Sequence, residues 1–290
     1  MPHTHRTHPS ELERNPQAQR KPTGPGGEQM PQAMEASTSL MPPTPRGISE
    51  DLLGEVVRED LCLHDDEIMH IALRKEAISL VPYLLRKYSS SESVSDTDML
   101  SHIKRDYRRY FPLIIDKASV FMQLLFGIEL KEVDPILHTH VLVIVAGITY
   151  DGALSDVQGM PKTGLLIIVL FIIFMEGNCA TEDVIWHVLN EMEVYSDREH
   201  FLYGKPRELL VEDFVFEQYL KYEQVPGSDP IAYEFRWGPR AYTETTKMKV
   251  LEHWAKVSGL DPMAFPTLYE EALQEDQGAS THGTASLIEE

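Results

Sequence analysis

The sequence predicts a mainly α chain with small β wings, in which one helix–helix–helix–wing unit is used twice. Three observations carry that prediction. Residues 219–225 and 231–237 are rich in β-branched and aromatic residues, and Pro226-Gly227-Ser228-Asp229-Pro230 between them cannot continue a ladder, so they form a hairpin wing. Pro239 then supplies the fixed φ of a first helical turn, and Met248, Leu251, Trp254, Ala255 and Val257 recur near helical spacing until Gly259 ends the run. The same succession of signals occurs about one small domain earlier in the chain.

In the first unit a helix ends near Tyr88, and Ser95 three residues before Asp98 is a capping pattern that starts a second helix. Pro112 opens a third helix that stops at Gly127; strands 128–133 and 139–146 flank Asp134-Pro135. The second unit begins with a helix over 162–175, restarts at Thr181 as N-cap for 183–192, continues over 206–216 and ends in the 219–237 hairpin. Residues 147–160, with Gly, Asp and Ser, connect the units. Residues 1–50 concentrate Pro, Gly, Ser, Thr and Gln and are expected to be a disordered tail; residues 275–290, without basic residues or apolar period, are expected to be a second, acidic one. The folded domain is placed at 51–274, with units over about 70–147 and 160–259 and a C-terminal helical segment over 260–274.

With 26 Lys and Arg against 46 Asp and Glu, the net charge of -20 makes the average surface repel phosphate and favours basic partners. The two cysteines, Cys62 and Cys179, exclude a disulfide framework and a cysteine-based zinc finger, which fits a reducing compartment. The first residues carry no apolar core of a secretory signal. The run LLIIVLFIIFM from Leu165 falls short of the roughly 20 apolar residues a bilayer requires, and no membrane is expected. It reads as a helix buried on all sides.

At about 100° per residue, Leu73, Ala77, Leu80, Val81 and Tyr88 fall within about 60° of Leu84 and form a core stripe. Ile71, Ile78 and Leu85 lie on a flank about 100° to 140° away. The apolar arc is too wide for an ordinary surface helix, so either the second unit or an external partner covers the flank.

Several collinear blocks resemble one family: Phe111-Pro112 with Lys117-Ala118-Ser119, Phe126 to Leu130 with Glu132-Val133-Asp134-Pro135, Tyr150-Asp151-Gly152, Met160-Pro161-Lys162 with Gly164, and Phe265-Pro266-Thr267. Together with residues 219–259 they resemble the MAGE (melanoma-associated antigen) homology domain, over about residues 73–273. The resemblance implies a tandem winged-helix fold that acts by binding proteins, without cofactor or catalytic residues. It implies that Leu84 and Leu85 match the paired leucines through which the family engages RING-type E3 ubiquitin ligases; Ile78, on the same flank as Leu85, is expected as a further contact. Leu85 is the expected contact and Leu84 the core residue. Pro82 departs from the family pattern, and a proline inside a helix is expected to kink it.

Lys104, Arg105, Arg108 and Arg109 form the densest basic cluster, read as a solvated face or a dock for an acidic partner segment. Direct DNA binding is not expected, because the third helices, PLIIDKASVFMQLLF and PRELLVEDFVFEQYL, lack the basic surface a groove reader needs. His138-Thr139-His140 would put two imidazoles on one strand face, but no third metal ligand is apparent. Met160 to Gly164 lacks the spacing of a phosphate loop. The expected function is therefore a non-enzymatic adaptor in nucleus and cytoplasm that joins a RING ligase to substrate proteins or transcription regulators. The alternative is a chromatin-associated winged-helix module acting as a transcriptional co-regulator.

Overall fold

A computed structural model describes residues 65–152 and 160–285, with side chains described from residue 67 to residue 277. The tail expected over 1–50, the start of the domain expected at 51, and residues 286–290 lie outside the described residues.

The first unit runs α1 (Asp65–Ser89), β1 (Val94–Ser95), α2 (Asp96–Ser101), a 3-10 turn (Arg105–Tyr110), α3 (Phe111–Phe126), β2 (Ile128–Asp134) and β3 (Thr139–Ile144). Ser95 caps α2, its hydroxyl accepting from the Asp98 amide at 3.1 Å, as the S-x-x-D spacing predicts. α3 ends at Gly127, left-handed at φ 65, which hands the chain to β2. The wing turns where Asp134 Oδ1 accepts from the amides of Ile136 and Leu137, an Asx turn. The antiparallel sheet has the order β1-β3-β2.

The second unit repeats this plan: α4 (Thr163–Met175), β4 (Ala180–Thr181), α5 (Glu182–Glu191), then α6 (Pro206–Glu208), a π turn (Leu209–Asp213) and α7 (Phe214–Phe216), then β5 (Leu220–Gln224) and β6 (Tyr233–Trp237). Its sheet order is β4-β6-β5, the counterpart of the first, and Thr181 caps α5 as Ser95 caps α2. The fold is thus mainly α with two small three-stranded β sheets, a tandem winged helix.

Two boundaries differ from expectation. The helix expected from Pro239 to Gly259 is two, α8 (Pro239–Glu244) and α9 (Lys247–Ser258), because Thr245 and Thr246 are extended and the Thr246 hydroxyl caps α9 by accepting from the Lys249 amide. The last helix, α10 (Pro266–Ala285), continues beyond the boundary expected at 274. Lys247, buried on α9, holds its first turns through Glu271 at 2.8 Å and Glu275 at 2.6 Å, long-range pairing that no local pattern records.

α4 is buried from Thr163 to Phe174 and lies at the centre of the core. Among the described residues no helix is long and apolar enough to cross a membrane. Trp237 Nε1 donates to the Leu170 carbonyl at 2.9 Å, and Trp254 of α9 stacks on Phe171. α3 packs across the start of α4, where Gly164 lies against the Leu125 backbone. Tyr203 donates to the Leu125 carbonyl at 2.9 Å, and Lys256 pairs with Glu129 at 2.6 Å. The connection is held as well: Glu244 accepts from the Thr149 amide and hydroxyl, and Tyr88 donates to Asp151.

His253 of α9 is buried beside this junction, and burial first, then the Lys256 charge, pull its imidazole down to about 4. An unfolded histidine takes its proton near pH 6.5, so the unfolded chain binds more protons through this window and stability decreases as the pH is lowered. Acidification from about pH 6.5 to about pH 4 is expected to cost on the order of 3 kcal/mol through this residue. Urea midpoints measured across that range check it: His253→Gln should flatten the slope, and an unchanged slope would assign it to other groups.

Candidate partner-binding face

α1 carries two apolar stripes on opposite sides. One faces inward: Leu73, Ala77, Leu80 and Leu84 are buried, with α3 and β3 as the neighbouring elements. The other runs Ile68, Ile71, Lys75, Ile78, Pro82, Leu85 at alternating spacings of three and four, within about 100° of arc. Ile68, Ile71 and Ile78 are 52%, 41% and 51% exposed, while Leu85 is half-buried against the edge of the core. Exposed isoleucines repeating along one face constitute a patch rather than scattered surface residues.

Of the three expected ligase contacts, Ile78 is thus on the outer stripe, Leu85 at its inner border, and Leu84 wholly inside. The expected kink does not end the helix: α1 continues as one element through Pro82, which is exposed. Proline has no N–H for the Ile78 carbonyl, and on an exposed face water can serve that oxygen instead. Ile68 was not singled out in the sequence, although the three-four spacing that starts from it was there to be read.

The basic cluster lies on the surface around the 3-10 turn. Glu76 on α1 is buried, and its carboxylate accepts from the Lys104 amide at 3.2 Å and from its ammonium at 2.5 Å. Lys104 therefore neutralises a buried carboxylate at the entry to the 3-10 turn, while its own side chain stays 74% exposed. Arg108 donates through Nε to the Ile103 carbonyl at 3.2 Å, and Arg109 lies over the Tyr110 ring. Arg105, Arg108 and Arg109 are exposed as well.

Of the expected histidine pair only His140 is on a strand, and the two meet different carboxylates. His138 lies in the wing turn at φ 45 and meets Glu132 at 3.2 Å, whereas His140 is on β3 near Asp96. Among the described residues no group of three or more His, Cys, Asp or Glu is placed to hold a metal.

On the third helix of the second unit, burial and the neighbouring Glu212, Glu208 and Glu217 raise the Asp213 carboxyl. Arg207 in the same stretch is engaged with Glu182 at 3.3 Å. In a DNA-reading winged helix this surface would meet phosphates; here it is acidic. At physiological salt, duplex DNA is expected to bind no better than a Kd of about 10⁻⁴ M. Fluorescence anisotropy tests this, and micromolar binding abolished by neutralising Arg105, Arg108 and Arg109 would contradict it.

The repeated helical unit with a wing, and a first helix apolar on both sides, define a tandem winged-helix protein with an exposed apolar face on that helix. Residues 138–248 match the model of the MAGE homology domain. The chain is 49% identical over 246 residues to human Melanoma-associated antigen 11, covering 85% of this chain and 57% of that protein. It is 52% identical over 203 residues to human Melanoma-associated antigen 10, covering 70% of this chain and 55% of that protein. Human Melanoma-associated antigen 8 is 49% identical over 215 residues, covering 74% of this chain and 68% of that protein. The chain belongs to the MAGE family. It spans little more than half the length of the first two relatives. A chain of the solved "Nse1-Nse3-Nse4 complex" is 34% identical, with a TM-score of 0.39, covering 72% of this chain and 100% of that one.

Proposed function

We propose that this chain is a non-enzymatic adaptor that binds a RING-type E3 ubiquitin ligase through the outer stripe of α1 and positions substrate proteins for ubiquitination, in the nucleus and cytoplasm. The single observation that carries the reading is the exposed stripe Ile68, Ile71, Ile78 ending at half-buried Leu85. Its position on α1 coincides with the paired leucines that the family resemblance implicates, and an apolar helix face suits recognition by side-chain packing. Bond-making belongs, in this reading, to the ligase and its conjugating enzyme. The acidic third helix of the second unit weighs against the chromatin alternative.

Affinity purification followed by mass spectrometry, comparing wild type with Ile78→Asp, tests it. RING ligases should be recovered with wild type and lost with the variant, whose changed side chain is exposed and should leave folding intact. Equal recovery of the same ligases would place the contact elsewhere.

A further inference from the structure

We propose that the segment covering the outer stripe of α1 in the complex is an acidic amphipathic helix whose carboxylates meet Lys75 and Arg86; that this helix belongs to the ligase rests on the function proposed above. The charge of this face is opposite to that of the chain. Against a net charge of -20, residues 68–110 hold eight Lys and Arg and five Asp and Glu. From Ile68 to Ser89, α1 carries Arg74, Lys75, Arg86 and Lys87 and one acid, Glu76, which is buried and held by Lys104. Lys87 pairs with Glu92 at 2.5 Å. Lys75 and Arg86 are exposed, and among the described residues neither has a carboxylate within ion-pair distance. In a chain so rich in acids, two unpaired cations beside an uncovered apolar row indicate the charge of what covers them.

The shape of the face indicates a helix. Ile71, Ile78 and Leu85 repeat every seven residues, a row along which a second helix packs lengthwise. Lys75 and Arg86 project within about 20° of each other on one side of that row, about 16 Å or three turns apart along the axis. Carboxylates three turns apart on one edge of the incoming helix can therefore meet both. An extended segment fits poorly, because its N–H and C=O groups would lose water against a helix face that offers no row of backbone partners. A helix satisfies those groups internally.

A display library of amphipathic helices of about 18 residues, varied among Glu, Gln and Lys at two positions three turns apart beside the apolar face, tests this against the purified full chain. Helices retained by wild type and not by Ile78→Asp should carry Glu at both positions at least about tenfold above its frequency in the library, and about 1 M salt should flatten the preference. Against the double variant Lys75→Glu with Arg86→Glu, whose changed side chains are exposed, the preference should turn to Lys. Retention without a charge preference, a preference unmoved by the two reversals, or no retention that depends on Ile78 would each overturn the proposal. The selection contains no ligase, so it fails or succeeds separately from the recovery of RING ligases by affinity purification. Acidic helices selected here with no ligase recovered there would uphold the acidic helix and overturn its assignment to a ligase.

Discussion

Gly164→Ala is expected to destabilise the protein by about 3 kcal/mol, through the contact between its two winged helices. A Cβ built at Gly164 would lie 2.5 Å from the Leu125 carbonyl carbon and oxygen and 2.6 Å from the Leu124 oxygen. All three obstacles are backbone, which cannot rotate aside as a side chain could. Relief would require α4 to withdraw from the end of α3, where a Cβ at Gly127 would likewise come within 2.8 Å of Thr163 Cβ, and to stretch the Tyr203–Leu125 hydrogen bond. Alanine favours a helix over glycine by at most about 1 kcal/mol, and less at an end, so the clash prevails. Urea denaturation should show a lowered midpoint with an unchanged m-value. A loss below about 1 kcal/mol would mean that α3 and α4 separate easily and that the two units are less tightly joined than their packing indicates.

The adjacent leucines of α1 should divide their effects between two measurements. Leu84 is fully buried, so Leu84→Ala should cost about 2 to 5 kcal/mol of stability, and binding should suffer only through unfolding. Leu85 is half-buried, and only part of its side chain remains to be covered by a partner. Full burial of a leucine contributes roughly 1.5 to 3 kcal/mol; the uncovered part therefore accounts for about 1 kcal/mol, a fewfold to tenfold loss of affinity in Leu85→Ala. Thermal unfolding and titration against a purified RING domain, run in parallel on both variants, separate the terms. Normal binding by the folded fraction of Leu85→Ala would remove it from the interface and leave Ile78 and its neighbours to carry the contact.

Much of the fold was determined locally. Ser95 and Thr181 as caps, Gly127 and Gly259 as left-handed stops and Pro-Gly at the second wing each act through the backbone of a few residues, and each is where the sequence placed it. The inward stripe of α1 was legible because helical period alone puts Leu73, Ala77, Leu80 and Leu84 on one side. The tertiary structure decided what requires two distant segments at once. That Lys104 is bound to a buried Glu76, that Lys247 secures the start of α10 through Glu271 and Glu275, and that His140 lies near Asp96 are pairings across the chain, invisible to spacing. The same holds for the outer stripe. Its sequence showed an apolar arc too wide for one core, but whether the second winged helix covered it depended on where α3 and α4 set that unit. They set it against the end of α3, and Ile68, Ile71 and Ile78 were left facing solvent.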